Sequence, residues 1–600
     1  MSFENEKHEK SQITGSFVNN ASNTVQYQFL ESGWRRFGTI MVAAYAVLIT
    51  AAYVAVLIFS AIRAITEGTQ QFATLVAVLA LGNELVKTPL TLTLAYASTL
   101  AKKPLPVLQE QSMNVLLGIT FVPKSEDINR LKTAIIAAMQ MKHDNGKLAI
   151  CVFDEGSDAE PNAVFNMVNE LNEQHQGHEV FRVSRQHIPM YRTKENGKFK
   201  EKTKYGNINA GLAMIKNEPE YYGTYDVLMG LDPDHVGTVD FVERMLGPFT
   251  NPDVAFVAGP QSYENATDNL VARWAESNQF VFHALVQSVA NVHGAAMLVG
   301  TSYAIRFSVL EQIGGIQPSI TEDLATTFAV LSRKNPITNN PWNSVYTPDL
   351  LAHGEGPSTW GDFFKQQDRW SRGAMEFMWA GPFFKQMLGM WRKPWRIVHY
   401  TMLMSFYPIM AISWLLAAAN SALVAVAGAS GRILDPDVWF IFYGWATLGQ
   451  MWLYFRMRRH NVSPFERRGS WGFFGMFMGV VTAPIFADAL LKTIFRRPVG
   501  FNVTPKGTNA NKDVWYTFRL NIRWIVFYAA LIVVGYLNHH LSISTLLWSV
   551  LAILLLTSPM AIWKVIELEQ PDAPQDEDFS SNKVSEATIS LPIRSPETLD

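Results

Sequence analysis

The sequence has a single cysteine, Cys151, among 600 residues, so an internal disulfide bond is excluded and a reducing compartment such as the cytosol is expected. The formal net charge is only −2, which gives no support for a nucleic-acid-binding protein. Charge is also missing locally, because no charged residue lies between Arg36 and Arg63. A helix of that length crosses the roughly 30 Å hydrocarbon core of a bilayer. These absences predict a membrane protein with folded parts in the cytosol.

Apolar stretches occur in two groups, one near each end of the chain. We predict six membrane-spanning helices, at residues 39–62, 72–98, 397–428, 438–455, 516–537 and 543–563. A further apolar stretch, 471–487, contains Pro484 and is followed by the Asp488/Lys492 pair. These features favour a helix lying along the membrane interface over a seventh span. Seven spans is the alternative.

The positive charges around the spans predict the orientation of the chain. Arginines and lysines border the apolar stretches on one side, at Arg35, Arg36, Lys102, Lys103, Arg456, Arg458, Arg459, Arg467 and Arg468. Cytosolic loops carry such an excess, so the central region and both termini are expected in the cytosol, with the spans in the plasma membrane. No cleavable signal pattern precedes the first span, which is therefore expected to be retained. Residues 1–38 and the acidic tail 567–600 are predicted to be disordered.

The region between the two groups of spans, 102–395, alternates short apolar runs with amphipathic stretches. Apolar runs at 115–122, 148–153, 181–184 and 225–231 predict strands, and residues 127–141 and 160–174 predict helices. This alternation is typical of a mostly parallel α/β sheet, in which ligands bind beyond the carboxyl ends of the strands. Asp154 and Asp232 each follow an apolar run, so both are expected at that edge.

Acidic motifs follow these runs. Asp232-Pro-Asp234 places two carboxylates one residue apart on a turn, a pattern that can hold Mg²⁺ or Mn²⁺ against a diphosphate, although such turns are common without a metal. Glu322 and Asp323 follow Thr321 and precede an apolar helix. An ordinary N-terminal cap with acids in the first turn explains that pattern, and so does a general base at Asp323 that deprotonates an acceptor hydroxyl.

Three other segments combine polar and aromatic residues. Lys204-x-Gly-Asn207 opens a helix from a basic loop that could present N–H groups to a diphosphate. Gln366-x-x-Arg369-Trp370 lies on a predicted amphipathic helix, where the indole is a platform for a sugar ring and the guanidinium can pair with phosphate. The segment 501–507, FNVTPKG, is either a turn fixed by Pro-Lys-Gly or a mobile lid near the membrane. Each motif alone has an ordinary structural explanation, which does not account for all of them in this order.

From about residue 39 to 566 the chain resembles the processive, membrane-integrated glycosyltransferases of the cellulose synthase or curdlan synthase type, in glycosyltransferase family 2. The resemblance rests on the segments VFDEGSD, KYGNINAGL, DPDH, TED, QQDRW and FNVTPKG, taken in that order. It implies a cytosolic catalytic domain of the glycosyltransferase-A (GT-A) type inserted between about six transmembrane helices and interfacial helices. The domains would be 39–101 (two spans), 102–395 (catalytic) and 396–566, which includes an interfacial helix at 470–494 and a gating loop at 496–510.

The resemblance also implies roles for individual residues. Asp323 with Glu322 would be catalytic, and Asp232 with Asp234 would bind the metal, Mg²⁺ or Mn²⁺. Nucleotide-sugar contacts would come from Glu126, Asp154, Lys204, Asn207, Asp232, Gln366, Arg369, Thr504 and Lys506. Acceptor contacts would come from Trp370, Thr321 and His235. Family members usually carry a different sequence where this chain has FVPKSED, so Glu126 matches less closely.

We therefore expect a synthase that polymerises glucose from UDP-glucose into a β-glucan of β-1,3, β-1,4 or mixed linkage, and moves it across the membrane. The expected partners are the UDP-sugar, the growing polysaccharide, the bilayer and accessory export subunits that the sequence does not name. One alternative is a hyaluronan, chitin or mannan synthase on the same scaffold. Others are a non-processive transferase to a lipid acceptor and a non-catalytic channel. Asn83, Glu84 and Lys87, charged or polar positions within the second span, either line the polymer path or form a buried pair.

Overall fold

The computed structural model describes residues 24–66, 71–123, 125–156, 163–174, 177–428, 436–466, 469–497 and 512–569. Most of the two segments predicted to be disordered, 1–38 and 567–600, lies outside these ranges. Thr504 and Lys506, predicted in the gating loop, also lie outside the described residues.

A seven-stranded mixed sheet forms the centre of the region between the two groups of apolar helices. Its order is β10-β8-β9-β6-β3-β4-β5, and only β9 runs antiparallel to its neighbours. The strands are β3 (Val115–Phe121), β4 (Leu148–Asp154), β5 (Val180–Ser184), β6 (Val227–Leu231), β8 (Val254–Ala258), β9 (Tyr303–Arg306) and β10 (Asn343–Tyr346). Two small antiparallel pairs accompany it, β1 (Tyr27–Phe29) with β2 (Lys102–Pro104) and β7 (Val236–Gly237) with β11 (Ala352–His353). The predicted strands and the parallel arrangement of β3 to β6 are confirmed.

Both faces of this sheet are buried, as its continuous apolar strands predict. Alternate residues of β3 divide between two cores, with Val115, Leu117 and Ile119 on one face and Leu116 on the other. Gly118 of the same strand leaves room for the ring of Phe153, because a Cβ there would lie 2.4 Å from it. The close approach of β3 and β4 at this point fixes the chain just before Asp154.

Of the described helices, α1 and α2 precede the strands of the central sheet, others alternate with those strands, and the rest form the C-terminal group. They are α1 (Gly33–Thr66), α2 (Gln71–Leu100), α3 (Ile128–Met139), α4 (Ala163–Glu173), α5 (Lys204–Asn217), α6 (Pro219–Tyr222), α7 (Phe241–Leu246), α8 (Leu270–Val281), α9 (Gln287–Ala290), α10 (Phe307–Ile313), α11 (Glu322–Leu331), α12 (Trp360–Ala380), α13 (Phe383–Gly389), α14 (Pro394–Met404), α15 (Phe406–Ala427), α16 (Pro436–Met457), α17 (Phe473–Val481), α18 (Ala483–Ile494), α19 (Arg519–Leu537) and α20 (Ile543–Glu569). Side-chain caps start several of them, at Asp127, Thr203, Asn269 and Thr359. The two predicted helices in the first half of the domain are α3 and α4.

Six helical segments in the described part of the chain are long and apolar enough to cross a membrane. They are Gly33–Thr66, Ala73–Leu100, Phe406–Ala427, Phe473–Ile494, Trp515–Leu537 and Thr545–Ile566. A multi-pass membrane protein is therefore supported, although the set differs from the predicted one. It includes the stretch predicted to lie along the interface and omits α16, which was predicted as a span. Helices α1 and α16 approach each other closely at Gly449. A Cβ added to this glycine would lie 3.2 Å from the Ala46 Cα.

Two predicted apolar helices are broken in the structure. The stretch 397–428 divides at Ser405 into α14 and α15, and Pro408 occupies the first turn of α15, where its missing N–H is tolerated. The stretch 473–494 divides at Thr482 into α17 and α18, with Pro484 in the first turn of α18. More than half of this second stretch is buried, and it packs against α8 and α12 of the sheet domain. The predicted interfacial position of this stretch remains a prediction.

Candidate active site

The carboxyl ends of β3, β4 and β6 meet at one edge of the sheet and carry acidic side chains. Glu126 lies in the turn after β3, Asp154 ends β4, and Asp232 follows β6. The Glu126 carboxylate accepts the Val122 N–H at 2.6 Å. Burial raises the pKa of Glu126 to about 8, and the negative charges of Asp232 and Asp234 add to the rise. The three strand ends therefore form one acidic surface, as the sequence predicts.

Asp154 is already paired, with a residue that the sequence analysis did not identify. Arg182 of the neighbouring strand β5 donates from Nε and Nη2 to Asp154 Oδ2, at 2.7 and 2.6 Å. The Gly156 N–H donates to the other carboxylate oxygen at 2.9 Å. Register pairing of β4 with β5 is what brings Arg182 beside Asp154, so no spacing in the sequence could reveal it.

A second buried ion pair holds the loop that leads into α5. Arg185 donates to the Glu155 carboxylate at 2.9 and 2.5 Å, and it also donates to the carbonyls of Tyr191, Phe199 and Lys200. The backbone N–H of Lys202 donates to the other oxygen of Glu155 at 2.9 Å. The loop is therefore fixed from both sides immediately before α5.

The first turn of α5 carries the predicted nucleotide-binding segment. Thr203 caps the helix, and its hydroxyl accepts the Gly206 N–H at 3.2 Å. Asn207 is buried and donates to the Phe153 carbonyl at 2.7 Å, which ties α5 to the end of β4. The role of Asn207 in the structure is therefore to position Asp154, and a direct nucleotide contact remains a prediction.

Lys204 connects the two halves of the site. Its ammonium contacts Asp232 Oδ1 and donates to the Gly300 carbonyl at 2.8 Å. Burial lowers the pKa of Lys204, but the charges of Asp232 and Glu322 outweigh burial, so the pKa is raised overall. Lys204 therefore faces the predicted metal ligand on one side and the predicted catalytic acids on the other.

Asp232, Asp234 and His235 form a group of side chains that could hold a metal ion. One ligand atom from each lies within 4.8 Å of the others. The fully buried His235 imidazole has no hydrogen-bond partner among the described residues, and its Nδ1 lies 3.4 Å from Asp234 Oδ1. Gly354 packs so closely that a Cβ there would lie 2.4 Å from the ring. Two carboxylates and an imidazole suit Mn²⁺, and the carboxylates alone suit Mg²⁺. The residues therefore fit a divalent cation.

Glu322 and Asp323 occupy the first turn of α11. The backbone N–H of Leu324 donates to Asp323 Oδ1 at 2.7 Å. Burial raises the pKa of Asp323, and burial together with the Asp323 charge raises that of Glu322 to about 7. Lys204 and Arg369 oppose both rises. Thr321 occupies the N-cap position and both acids lie in the first turn, as the capping explanation expects, but the Thr321 side chain makes no cap hydrogen bond.

Helix α12 brings Gln366, Arg369 and Trp370 to the same place. Gln366 is buried and donates to the Tyr263 hydroxyl at 3.2 Å, and Arg369 interacts electrostatically with Asp323. Trp370 is half-buried. Gly373 allows α12 to lie directly on Thr321, because a Cβ there would meet the Thr321 methyl at 2.4 Å. The part of α12 around Gly373, one turn after Trp370, therefore lies against the start of α11.

Helix α12 also holds both flanks of the segment predicted to be a gating loop. Before the segment, Arg372 donates to the Arg497 carbonyl at 2.6 Å. After it, the Asp513 carboxylate accepts the N–H groups of Trp360 and Gly361 at 2.9 and 2.8 Å, at the N-terminus of the helix. Lys492 of α18 pairs with Asp368 at 3.4 Å. Asp513 is a residue that the sequence analysis missed, since its partner is 152 residues away.

Comparisons with known proteins agree with this geometry. Residues 227–462 match the family model described as Glycosyl transferase family group 2. Over these residues the chain is similar to the glycosyltransferases of family 2. The matched part runs from β6 through Asp323 and Trp370 to the end of α16, and the mixed sheet that holds it is GT-A-like. The predicted fold class, a GT-A-like domain between apolar helices, is confirmed.

Two curated relatives are rice proteins (Oryza sativa subsp. japonica). "Probable glucomannan 4-beta-mannosyltransferase 9" is 30% identical over 159 residues, which is 26% of this chain and 28% of the relative. "Probable glucomannan 4-beta-mannosyltransferase 7" is 25% identical over 259 residues, 42% of this chain and 39% of the relative. The matched segments thus span well under half of each relative. The cellulose synthase or curdlan synthase type stays a prediction.

A solved structure also aligns with this chain, mannosyltransferase PcManGT from Pyrobaculum calidifontis in complex with GDP-Man and Mn²⁺. The alignment covers 76% of this chain and 100% of that protein, with 12% identity and a TM-score of 0.37. A likeness this low has no bearing on substrate or mechanism.

Proposed function

We propose that the chain is a processive, inverting hexosyltransferase that builds a β-glycan from a nucleoside diphosphate sugar and passes it through its membrane helices. One observation carries the proposal. The Lys204 ammonium contacts Asp232 and interacts electrostatically with Glu322. The residues that fit a metal therefore lie on one side of this ammonium, and the two acids of α11 lie on the other. A diphosphate at Asp232 would then place its sugar next to Asp323.

In the proposed reaction Asp323 acts as the general base. The acceptor hydroxyl attacks the anomeric carbon from the side opposite the diphosphate, its proton passes to the Asp323 carboxylate, and the bond between the anomeric carbon and the diphosphate oxygen breaks. Inversion at carbon follows from the single displacement. The raised pKa of Asp323 suits a base that works near neutral pH.

Asp232 and Asp234, with His235 as a third donor, would hold Mg²⁺ or Mn²⁺. Such an ion, when bound, neutralises charge on the leaving diphosphate. The chain's own Lys204 would move from Asp232 to the phosphate oxygens as the ion and the donor enter. Arg369 adds a second positive charge on the opposite side, beside Asp323.

The remaining predicted contacts surround this centre. Glu126 and Asp154 border the place where a nucleotide would lie, and Gln366 would contact the donor from α12. Trp370 would stack on the terminal sugar of the growing chain, with Thr321 beside it. Asn83 and Glu84 lie outside this centre, in the apolar helix α2. There, Asn83 accepts a hydrogen bond from Ser413 of α15 at 2.5 Å and Glu84 pairs with Lys87 at 2.5 Å.

UDP-glucose is the first candidate donor, giving a β-1,3, β-1,4 or mixed-linkage glucan. A mannan made from GDP-mannose is the second, and the names of the two rice relatives favour it. A hyaluronan or chitin product, or one sugar added to a lipid, would use the same centre. The proposed setting is the plasma membrane with the sheet domain in the cytosol, and accessory export subunits stay unidentified.

The test is incorporation of labelled sugar by the purified full chain in lipid nanodiscs, supplied with Mg²⁺ or Mn²⁺. UDP-glucose and GDP-mannose are offered separately and in competition. The products are digested with β-1,3-glucanase, β-1,4-glucanase and β-mannanase. High-molecular-weight product from one donor establishes donor, processivity and linkage. A product with one added sugar would contradict processivity, and turnover of neither donor would contradict both candidates.

The proposed orientation has its own test. Because Cys151 is the only cysteine and is buried, single cysteines can be added and labelled with a membrane-impermeant reagent. Six spans predict that Ser430→Cys reacts from outside the cell and Lys512→Cys only after the membrane is opened. If 471–494 crossed the membrane instead, Lys512→Cys would react from outside.

A further inference from the structure

A second chemically distinctive region lies at the other side of the central sheet. A cavity of about 510 Å³ opens beside the amino ends of β8 and β10, whereas the acidic site is at the carboxyl ends of β3, β4 and β6. Its basic lining residues are Lys102, His293, Arg392, Lys393 and Arg396. None of the described residues that line it is acidic. No motif discussed above includes any of these residues, and the proposed transferase reaction does not use them.

Arg396 forms the floor of this basic cavity and is fully buried. Its guanidinium donates to the Trp342 carbonyl at 2.9 Å and to the His293 carbonyl and Asn343 Oδ1, both at 3.1 Å. Its Nε has no hydrogen-bond partner among the described residues, and the oxygens that accept from the rest of the guanidinium belong to backbone carbonyls and one side-chain amide. A full positive charge is thus buried among neutral dipoles, an arrangement that an anion would stabilise.

Lys393 and the other cations add to this excess. The Lys393 ammonium contacts Asn343 Oδ1. Burial and the Arg396 charge lower its pKa to about 8, and the Asp253 charge opposes them. Asp253 is itself engaged, accepting from Asn340 at 2.7 Å and from Asn335 at 3.0 Å. The cations of the cavity therefore outnumber the one carboxylate whose charge acts on Lys393, and neither Lys393 nor Arg396 forms an ion pair among the described residues.

The cavity lies next to the ends of two apolar helices. The His293 ring stacks on Tyr96 of α2, at 6.2 Å between centroids, and α2 ends at Leu100, just before Lys102. On the other side, α14 packs against α2 and leads directly into α15. Trp391 and Trp395 beside the cavity are each 67% exposed. Exposed indoles at the ends of apolar helices are typical of the level of lipid headgroups.

We propose that this basic cavity binds a phosphate group, carried by an anionic lipid headgroup or by a free phosphate anion. A phosphate supplies the negative charge that Arg396 and Lys393 lack, and Arg392 at the rim can pair with its outer oxygens. Basic pockets between membrane helices on the cytosolic side bind anionic headgroups through the same chemistry.

The test uses the full chain in phosphatidylcholine nanodiscs, with thermal unfolding as the readout. One arm adds phosphatidylglycerol to the nanodisc, and another adds inorganic phosphate at constant ionic strength. The variants are Arg392→Gln/Lys393→Gln and the matched control Lys385→Gln, which removes an exposed charge on α13 that does not line the cavity. We expect an upward shift of a few degrees in the wild type and in the control, and little or none in the double variant.

Each outcome is decisive. A shift from inorganic phosphate alone would identify the free anion as the ligand, and a shift from phosphatidylglycerol alone would identify the headgroup. Equal shifts in the wild type and the double variant, or no shift with either probe, would overturn the proposal. Should the double variant fail to fold, Arg392→Gln replaces it, because that side chain is exposed. Native mass spectrometry of retained phosphatidylglycerol then gives a second measurement, with Lys385→Gln again expected to match the wild type.

Discussion

The acidic edge and the basic cavity lie at opposite sides of one sheet, and they differ in whether their buried charges have partners of opposite charge. At the acidic edge the carboxylates have cationic partners, as Asp232 has Lys204 and Asp154 has Arg182. At the basic cavity Arg396 and Lys393 have only neutral oxygens within hydrogen-bond distance among the described residues. Ion pairs within the chain thus neutralise part of the charge at the acidic edge, whereas the described residues form no such pair with Arg396 or Lys393.

This difference separates two kinds of site. Where an internal cation such as Lys204 holds a carboxylate, a ligand must displace it, so binding and catalysis depend on exchange between partners. Where a buried cation has no counter-ion, a ligand completes the charge balance and stabilises the folded chain. Reaction rates should therefore report on the acidic edge, and unfolding temperature should report on the basic cavity.

Replacing the proposed base gives the largest expected effect and tests the acidic edge directly. Asp323→Asn should lower the rate of sugar transfer by about 10²–10⁴-fold, because general base catalysis contributes that much. Binding of the nucleoside diphosphate, measured by calorimetry, should change little, since the metal-fitting group is intact. Asp144→Asn, at an exposed position, is the matched control. A variant with wild-type transfer would exclude Asp323 as the base.

Breaking a buried ion pair should cost more stability than breaking an exposed one. Arg185→Met leaves Glu155 buried without its partner, so the free energy of unfolding should fall by about 3–5 kcal/mol. Lys132→Met breaks the exposed Lys132–Glu170 pair and should cost at most about 1 kcal/mol. Denaturant unfolding of both variants measures the difference. Equal losses would show that the Glu155–Arg185 pair does not hold the loop before α5.

The dependence of transfer on pH tests whether Lys204 connects the two halves of the acidic edge. The base must be ionised, so the rate should be lost as the pH falls through the raised pKa of the Glu322/Asp323 pair, near the value of about 7 for Glu322. Lys204 lowers both pKa values, and its removal in Lys204→Gln should therefore move this loss to higher pH.

The control for the pH profile is Lys216→Gln, which removes an exposed charge from the far end of the same helix. Its profile should match the wild type. An unchanged profile in Lys204→Gln would mean that the ammonium does not act on the two acids, whatever its effect on the absolute rate.

Much of the acidic edge could be predicted from the sequence because its parts are contiguous. Strand β6 leads directly into Asp232, and the placement of β3, β4 and β6 follows from continuous apolar runs of the length of strands. The partners of these acids could not be predicted, because Arg182 and Asp513 reach them through strand register and helix packing. The helix breaks at Ser405 and Thr482 were not predicted either, because a hydropathy pattern does not show where a proline lies in the first turn of a new helix.

The basic cavity could not be predicted from sequence motifs. Its lining comes from several separate parts of the chain, around residues 24–27, 102, 251–254, 291–294, 343–345 and 392–396. Each part contributes between one and five ordinary residues, and only the sheet and α14 bring them together. Whether a cation has a partner of opposite charge depends on the folded structure, whereas a motif can be recognised in the sequence alone.

The smallest expected effect is the one that most sharply separates the two regions. Lys393→Gln removes a cation that burial and Arg396 already disfavour, so in phosphatidylcholine nanodiscs without added phosphate the stability should stay within about 1 kcal/mol of the wild type, on the higher side. The difference should shrink as the pH rises from about 8 towards 10.5, the ordinary pKa that this lysine keeps in the unfolded chain. The pKa of Lys393 is lowered to about 8, so the wild-type amine loses its proton as the pH rises through that value, and with it the repulsion from Arg396. Thermal unfolding of both proteins at neutral pH and above pH 9 measures this. A loss of several kcal/mol at neutral pH, like that expected for Arg185→Met, would instead mean that Lys393 is a paired structural cation and that the two sides of the sheet do not differ.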